Sequence, residues 1–234
     1  MFYYDWTYIV FILPAVLLTF IAKAMVNSTF EKYSKKFSAR GMTGADAAKT
    51  VLMANHIDGI AIRPIEGKLT DNYNPKTDSI NLSTAVYSST SIASIGVAAH
   101  EAGHAVQHSE SYFPMEIRSK LIPASRFGSI ISFPLIALGI ILTVFSEKLA
   151  IIAYVGVGFF ALSTLFEVVT LPVEINASRR AVACISENGI LTQEELKGAK
   201  KVLRAAAFTY VASLAVSLAY VLRFLFIIGR LRRD

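Results

Sequence analysis

Residues 100 to 104 read His-Glu-Ala-Gly-His, an H-E-x-x-H string whose spacing suits metal chemistry. On an α-helix, two histidines four positions apart are offset by about 40° and one turn of rise, so both imidazoles can reach one ion. His100 and His104 therefore form half of a zinc site. Glu101 falls about 100° round from His100, beside the metal rather than on it, where a carboxylate can take a proton from a zinc-activated water. That is the arrangement of a zinc peptidase. The flanks agree: residues 90–108 are small and apolar, lack proline and begin at a candidate N-cap, Thr90 or Ser91, which is the composition of a buried helix. Unpaired imidazoles would be costly in such a helix, and metal ligation satisfies them.

A catalytic zinc has three protein ligands and keeps a position for water, so a third ligand is required. His108 continues the spacing but lies about 12 Å along the axis from His100, out of reach of the same ion, and is expected to line the cleft or cap the helix. The longer motif H-E-x-x-H-x-x-G-x-x-H is absent, which leaves carboxylates. Glu110 and Glu116 follow soon after but need the chain to turn back within a few residues. Glu174 is more attractive, because it opens a polar helix directly after Leu171-Pro172. As a helix-start carboxylate, stabilised by the helix dipole, it has a second account. Spacing alone leaves these three open. The lone Cys184 excludes an internal disulfide and a thiolate zinc site, and reads as a small buried thiol in a reducing compartment.

The elements that must position these residues are membrane elements. Hydrophobic residues make up 54 % of the chain, charged ones 17 %, and the mean hydropathy is +0.51, whereas soluble domains carry about a quarter charged residues. Stretches 6–26, 127–145, 149–171 and 205–229 are each long enough to cross about 30 Å of hydrocarbon. Glu167 and Arg223 interrupt the last two. The first stretch has a rival reading as a cleaved signal peptide, with Ala22-Lys-Ala24 as the cleavage site, but its start lacks basic residues and its apolar run is long. Lys23, Lys32, Lys35, Lys36 and Arg40 follow the first stretch and place that side in the cytoplasm by the positive-inside rule. Only Ser-Glu-Lys at 146–148 joins the second and third stretches into a hairpin, and the basic segment 172–204 returns to the same side. The basic tail 230–234 conflicts with a complete fourth crossing. A net charge of +6 needs no nucleic-acid partner, since juxtamembrane cations facing anionic lipid account for it.

The chain thus divides into an N-terminal membrane segment (1–26), a cytoplasmic part holding the motif (27–126), a membrane hairpin (127–171), cytoplasmic helices (172–204) and a C-terminal membrane segment with its tail (205–234). Thr43-Gly-Ala-Asp46 starts a helix running to near Ile57. Residues 60–65, 68–75 and 79–83 read as strands of a small antiparallel sheet. Its edge strand, placed at Ile80, Asn81 and Leu82, would pair with an extended substrate and hold the scissile bond over the metal. Thr192-Gln-Glu-Glu195 is a capping box for a last helix that feeds the fourth stretch.

Residues 97–107 (Val-Ala-Ala-His-Glu-Ala-Gly-His-Ala-Val-Gln), a membrane hairpin, and then 171–181 (Leu-Pro-Val-Glu-Ile-Asn-Ala-Ser-Arg-Arg-Ala) resemble the YugP family of bacterial membrane zinc metallopeptidases. More distantly the chain is similar to HtpX and the CAAX prenyl proteases, whose pattern is H-E-x-x-H, two spans and E-x-x-A-D. The resemblance covers most of the chain. It implies His100, His104 and Glu174 as ligands of one Zn²⁺ per chain, Glu101 as catalytic base, and a gluzincin-like α+β domain at the cytoplasmic face of a mainly α-helical, four-span protein. The Asp that closes E-x-x-A-D is Ser178 here, so the carboxylate expected to orient a ligand histidine is missing or supplied elsewhere. Arg179 or Arg180 is the candidate for stabilising the oxyanion.

The resulting expectation is a multi-pass endopeptidase of the bacterial inner membrane, acting from the cytoplasmic side on membrane or membrane-proximal proteins. The alternatives are a metal-binding membrane scaffold without turnover and an intramembrane zinc protease. The latter would normally carry an Asp-Gly motif downstream, and the Asp58-Gly59 of this chain lies upstream. Gly156 and Gly158 could pack helices within or between chains, leaving the oligomeric state and any regulatory partner open.

Overall fold

A computed structural model describes residues 6–231; residues 1–5 and residues 232–234 of the basic tail lie outside the described residues. A π-helical turn, Tyr8–Ile12, leads into α1 (Leu13–Ser34), followed by α2 (Gly44–Ala54), β1 (Ala61–Ile65), β2 (Asn72–Asn74), β3 (Ser79–Ser83) and α3 (Thr84–Tyr87). Then come α4 (Ile92–Ser109), α5 (Phe113–Leu142), α6 (Ala150–Glu187) and α7 (Gln193–Leu231). The protein is mainly helical, and four helical stretches, Tyr8–Ser34, Phe113–Leu142, Glu147–Glu187 and Gln193–Arg230, are long and apolar enough to cross a membrane. Two compact units result, one of Met1–Ile21, Ile117–Leu171 and Tyr210–Asp234, the other of Ala22–Glu116 and Pro172–Thr209.

The second unit holds the motif. Its helix starts are written locally: Thr43 and Asp46 exchange side-chain and backbone hydrogen bonds ahead of α2, and Thr192 and Glu195 do the same ahead of α7. Ser91 is the N-cap of α4, its Oγ accepting from Ser94 N at 3.1 Å. Helix α4 ends where Ser111 adopts a left-handed φ of 51° and Tyr112 N donates to Gln107 O at 2.9 Å. Between these ends Ile95, Ala98, Ala99 and Ala102 are fully buried in the unit's core with Val51, Ile80, Leu82, Ala181 and Ile185. Small residues let helices approach closely here. A Cβ on Gly103 would stand 2.7 Å from Ala177 O on α6. Gly103→Ala must therefore push α4 and α6 apart, and is expected to destabilise the protein by about 1–3 kcal/mol and to lower its zinc content, read by thermal unfolding and metal analysis of the purified chain.

The sheet differs from expectation in two respects. It is mixed rather than antiparallel: β2 pairs antiparallel with β3, and β1 pairs parallel with β3, in the order β1-β3-β2. A tight turn joins β2 to β3 and forces them antiparallel, while the chain between β1 and β3 reverses twice and brings β3 back in the direction of β1. The strand holding Ile80, Asn81 and Leu82 is consequently the centre of the sheet and not an edge. Both its sides are occupied by neighbouring strands, and Ile80 and Leu82 are fully buried. Of the strand read at 68–75, only Asn72–Asn74 pairs.

In the first unit, α5 and α6 pack backbone to backbone through small residues. A Cβ on Gly139 would collide with the Ala153 backbone, and one on Gly156 would stand 2.8 Å from Ile136 N, whereas Gly158 faces open space. Gly156 thus packs within the chain. Phe133, Phe160, Tyr220 and Phe224 interlock edge to face, with Phe133 and Phe160 centroids 5.7 Å apart. The Arg223 that interrupts the fourth stretch is buried, donating to Thr7 Oγ1 at 3.0 Å with its guanidinium 3.7 Å from the Tyr8 ring centroid. Large apolar side chains such as Ile130 and Phe145 stay exposed on this unit, as lipid-facing residues do.

The third apolar stretch and the polar helix after it are one element. Helix α6 runs unbroken through Pro172, because an interior proline removes a single backbone donor and a long, packed helix absorbs that loss. Glu174 is therefore a mid-helix residue and not a helix-start carboxylate.

Candidate metal centre

Helix α4 supplies His100, Glu101 and His104; α6 supplies Glu174. The two imidazoles meet edge to face with centroids 4.7 Å apart, and both turn Nε2 toward one carboxylate oxygen. His100 Nε2 lies 3.2 Å and His104 Nε2 3.4 Å from Glu174 Oε2. All three donor atoms fall within 4.8 Å of one another, with His104 and Glu174 buried and His100 half-buried. Tetrahedral zinc with bonds of about 2.0–2.1 Å holds its ligands about 3.3 Å apart, so the observed spacing and the N, N, O donor set fit that ion. Glu110 and Glu116 are not in the cluster.

Electrostatics couple the three groups. Burial alone would hold the His104 imidazole neutral, yet the hydrogen bond and charge of Glu174 outweigh burial and raise its pKa above the ordinary 6.5. Burial would likewise raise the Glu174 carboxyl, but hydrogen bonds from His100 and His104 keep it well below the usual carboxylate range. The two shifts have one cause, the attraction between the Glu174 carboxylate and the imidazoles that face it. Glu101 is half-buried and makes no hydrogen bond among the described residues, so its oxygens are open to a proton.

Behind the ligands lies a polar network that the motif did not announce. Gln107 is fully buried; its Nε2 donates to Val173 O at 2.8 Å and Asn176 Oδ1 at 2.9 Å. With both amide donors used, Oε1 faces His104 Nδ1 at 3.0 Å and can only accept. The Nδ1 proton is fixed there, so Nε2, which faces Glu174, is the nitrogen that would exchange its proton for a metal ion. At His100 the hydroxyl of Ser178 lies 3.1 Å from Nδ1. A sequence signal for Gln107 existed, because it sits three residues beyond His104 on the same helical face. Replacing it with leucine removes the side-chain donor to Val173 O and one of the two donors to Asn176 Oδ1, and leaves His104 Nδ1 without its acceptor. We expect Gln107→Leu to weaken zinc binding about 10–100-fold, measured by competition with a chromophoric chelator, and to cost about 1–3 kcal/mol of stability.

The remaining candidates separate. Arg180 donates through Nη2 to Glu110 Oε2 at 2.7 Å and through Nε to Asn176 Oδ1 at 2.8 Å, and it lies over the Tyr112 ring. Its hydrogen bond, aided by its charge, holds the Glu110 carboxyl below its ordinary range. Arg179 is exposed. Ile80 and Leu82 point into the core, and Asn81 donates across the sheet to Asn72 Oδ1 at 3.0 Å. His108 is 3.1 Å from the Tyr73 hydroxyl, which ties the last turn of α4 to β2.

These residues define a metal-site protein with long apolar helices, and the comparisons say of which kind. Residues 8–229 match the family described as "Putative neutral zinc metallopeptidase", and the chain belongs to that family. It is 42 % identical over 217 residues, 92 % of this chain and 93 % of the other, to the "Putative membrane protease YugP" of Bacillus subtilis (strain 168). No solved structure matches the chain.

Proposed function

We propose that the protein is a zinc-dependent endopeptidase of the bacterial inner membrane, with a gluzincin-like site of one zinc per chain facing the cytoplasm. The observation that carries this reading is the convergence of His100, His104 and Glu174 from two helices, with Glu101 beside them and outside the donor set. His100 and His104 would hold the ion through Nε2, and Glu174 through a carboxylate oxygen. When bound, zinc supplies a Lewis acid that acidifies water and polarises a peptide carbonyl. Glu101 accepts the proton of the attacking water at its carboxylate and passes it to the leaving amine. Gln107 and Ser178 keep both imidazoles turned toward the ion throughout. The basic residues after the first apolar stretch and around α7 support the cytoplasmic orientation.

An extended substrate requires a free strand edge. With β3 enclosed, β2 is the edge that the Tyr73–His108 contact ties to α4, and a peptide pairing along Asn72–Asn74 would run beside the motif helix. For the oxyanion, Arg179 fits better than Arg180, whose guanidinium is engaged by Glu110 and Asn176.

The test is zinc content and casein cleavage by the full chain purified in detergent. We expect one zinc per chain, cleavage lost on treatment with 1,10-phenanthroline, and cleavage restored by added zinc. Bound zinc with no cleavage of any unfolded protein would favour the scaffold instead, and absence of zinc would overturn the reading.

A further inference from the structure

The second unit contains a cavity of about 510 Å³ that the metal centre does not use. Its floor is apolar and fixed. Tyr33 and Ile92 belong to the buried core, and a Cβ on Gly198 would stand 2.6 Å from the Tyr33 ring, so only glycine allows α7 this close. Its rim is cationic. Lys36, Lys200, Lys201 and Arg204 line it with no ion pair to any described residue. The acidic groups at the rim are already committed: Glu194 pairs with Lys197 at 2.7 Å, and Glu195 accepts from the backbone of Thr192 and Ala39. Lys36 lies 5.6 Å from the Tyr33 ring centroid, held over the cavity floor. The single charge of Glu194 is felt by Lys36 and Lys201 as well as Lys197, so five cations share the lining with two carboxylates and the rim keeps an excess of positive charge.

We propose that this cavity binds the phosphate of an anionic phospholipid. Concave sites of this size take a small polar group, and the uncommitted charge at the rim is complementary to a phosphodiester. The choice of a lipid over a soluble phosphate rests on two observations. Phe37, at the same rim, is largely exposed, at 68 %, and an exposed aromatic beside cations is the composition of a membrane interface. In sequence, Arg204 immediately precedes the apolar run that begins at Ala205, and Lys36 and Phe37 follow the helix Tyr8–Ser34, whose apolar part ends about ten residues earlier.

The experiment titrates the full chain in neutral detergent with dioleoylphosphatidylglycerol, dioleoylphosphatidylcholine or inorganic phosphate, reading thermal shift and native mass spectra. A 1:1 adduct with phosphatidylglycerol, preferred over phosphatidylcholine by about tenfold or more, is expected. The Lys200→Gln/Lys201→Gln/Arg204→Gln variant should lose that preference, as should Lys36→Gln in smaller measure. The control Lys49→Gln/Lys68→Gln/Lys76→Gln removes the same charge from exposed positions elsewhere and should keep it. Equal binding of the two lipids, or equal loss in the control, would overturn the proposal. An equal shift with inorganic phosphate at matched concentration would reassign the cavity to soluble phosphates and overturn the lipid.

Discussion

Glu101→Gln is expected to cut casein cleavage by about 10²–10⁴-fold, the contribution of a general base, while zinc stays near one per chain. Both halves follow from the position of Glu101. It stands on α4 next to His100 but outside the donor cluster, so the amide removes no ligand. It is half-buried and makes no hydrogen bond to a described residue, so an isosteric amide leaves no partner unsatisfied and stability should hardly change. What the amide cannot do is accept a proton. Cleavage near the wild-type rate would remove Glu101 from the chemistry, and loss of zinc would make it a ligand.

For Glu174→Gln the expected loss is in metal affinity itself, roughly 10²–10³-fold. Zinc binding to four-donor sites is worth about 10–16 kcal/mol, so one donor carries roughly 3–4 kcal/mol. Glutamine keeps the volume of a side chain that is 98 % buried, being only 2 % exposed, and removes the charge that both imidazoles face. Chelator competition measures the effect. Glu110→Gln is the informative comparison, because Glu110 was the less attractive carboxylate candidate by chain position and is paired with Arg180. Comparable zinc loss in both variants would mean that the third ligand has been misplaced.

Much of this was legible in the chain because it is local. The H-E-x-x-H spacing, the Ser91 cap, the capping boxes at Thr43 and Thr192, and the four apolar stretches depend on residues within one or two turns of each other. What failed depends on partners distant in sequence. The place of Ile80, Asn81 and Leu82 in the sheet is set by β1 and β2 together, and alternation along one strand carries no information about how many neighbours it has. Pro172 reads as a break by the local rule, and the continuous α6 overrides it. Gln107 was visible as a residue, but its task exists only because Val173 and Asn176 are packed behind it. The pairing of Arg180 with Glu110, 70 positions earlier in the numbering, is likewise a contact that no local pattern announces.

The unit that holds the candidate metal centre is made from two separated pieces of chain, and its donors come from both: Glu174 stands 74 positions after His100. On a ribosome adding about 5–20 residues per second, the histidine pair emerges roughly 4–15 s before its carboxylate. The apolar helical stretch of α5 and most of α6 are made in that interval. A nascent chain therefore carries the recognisable motif before the residue that completes its donor cluster, and the candidate metal site can close only after both helices have been synthesised. That order of synthesis is a built-in delay.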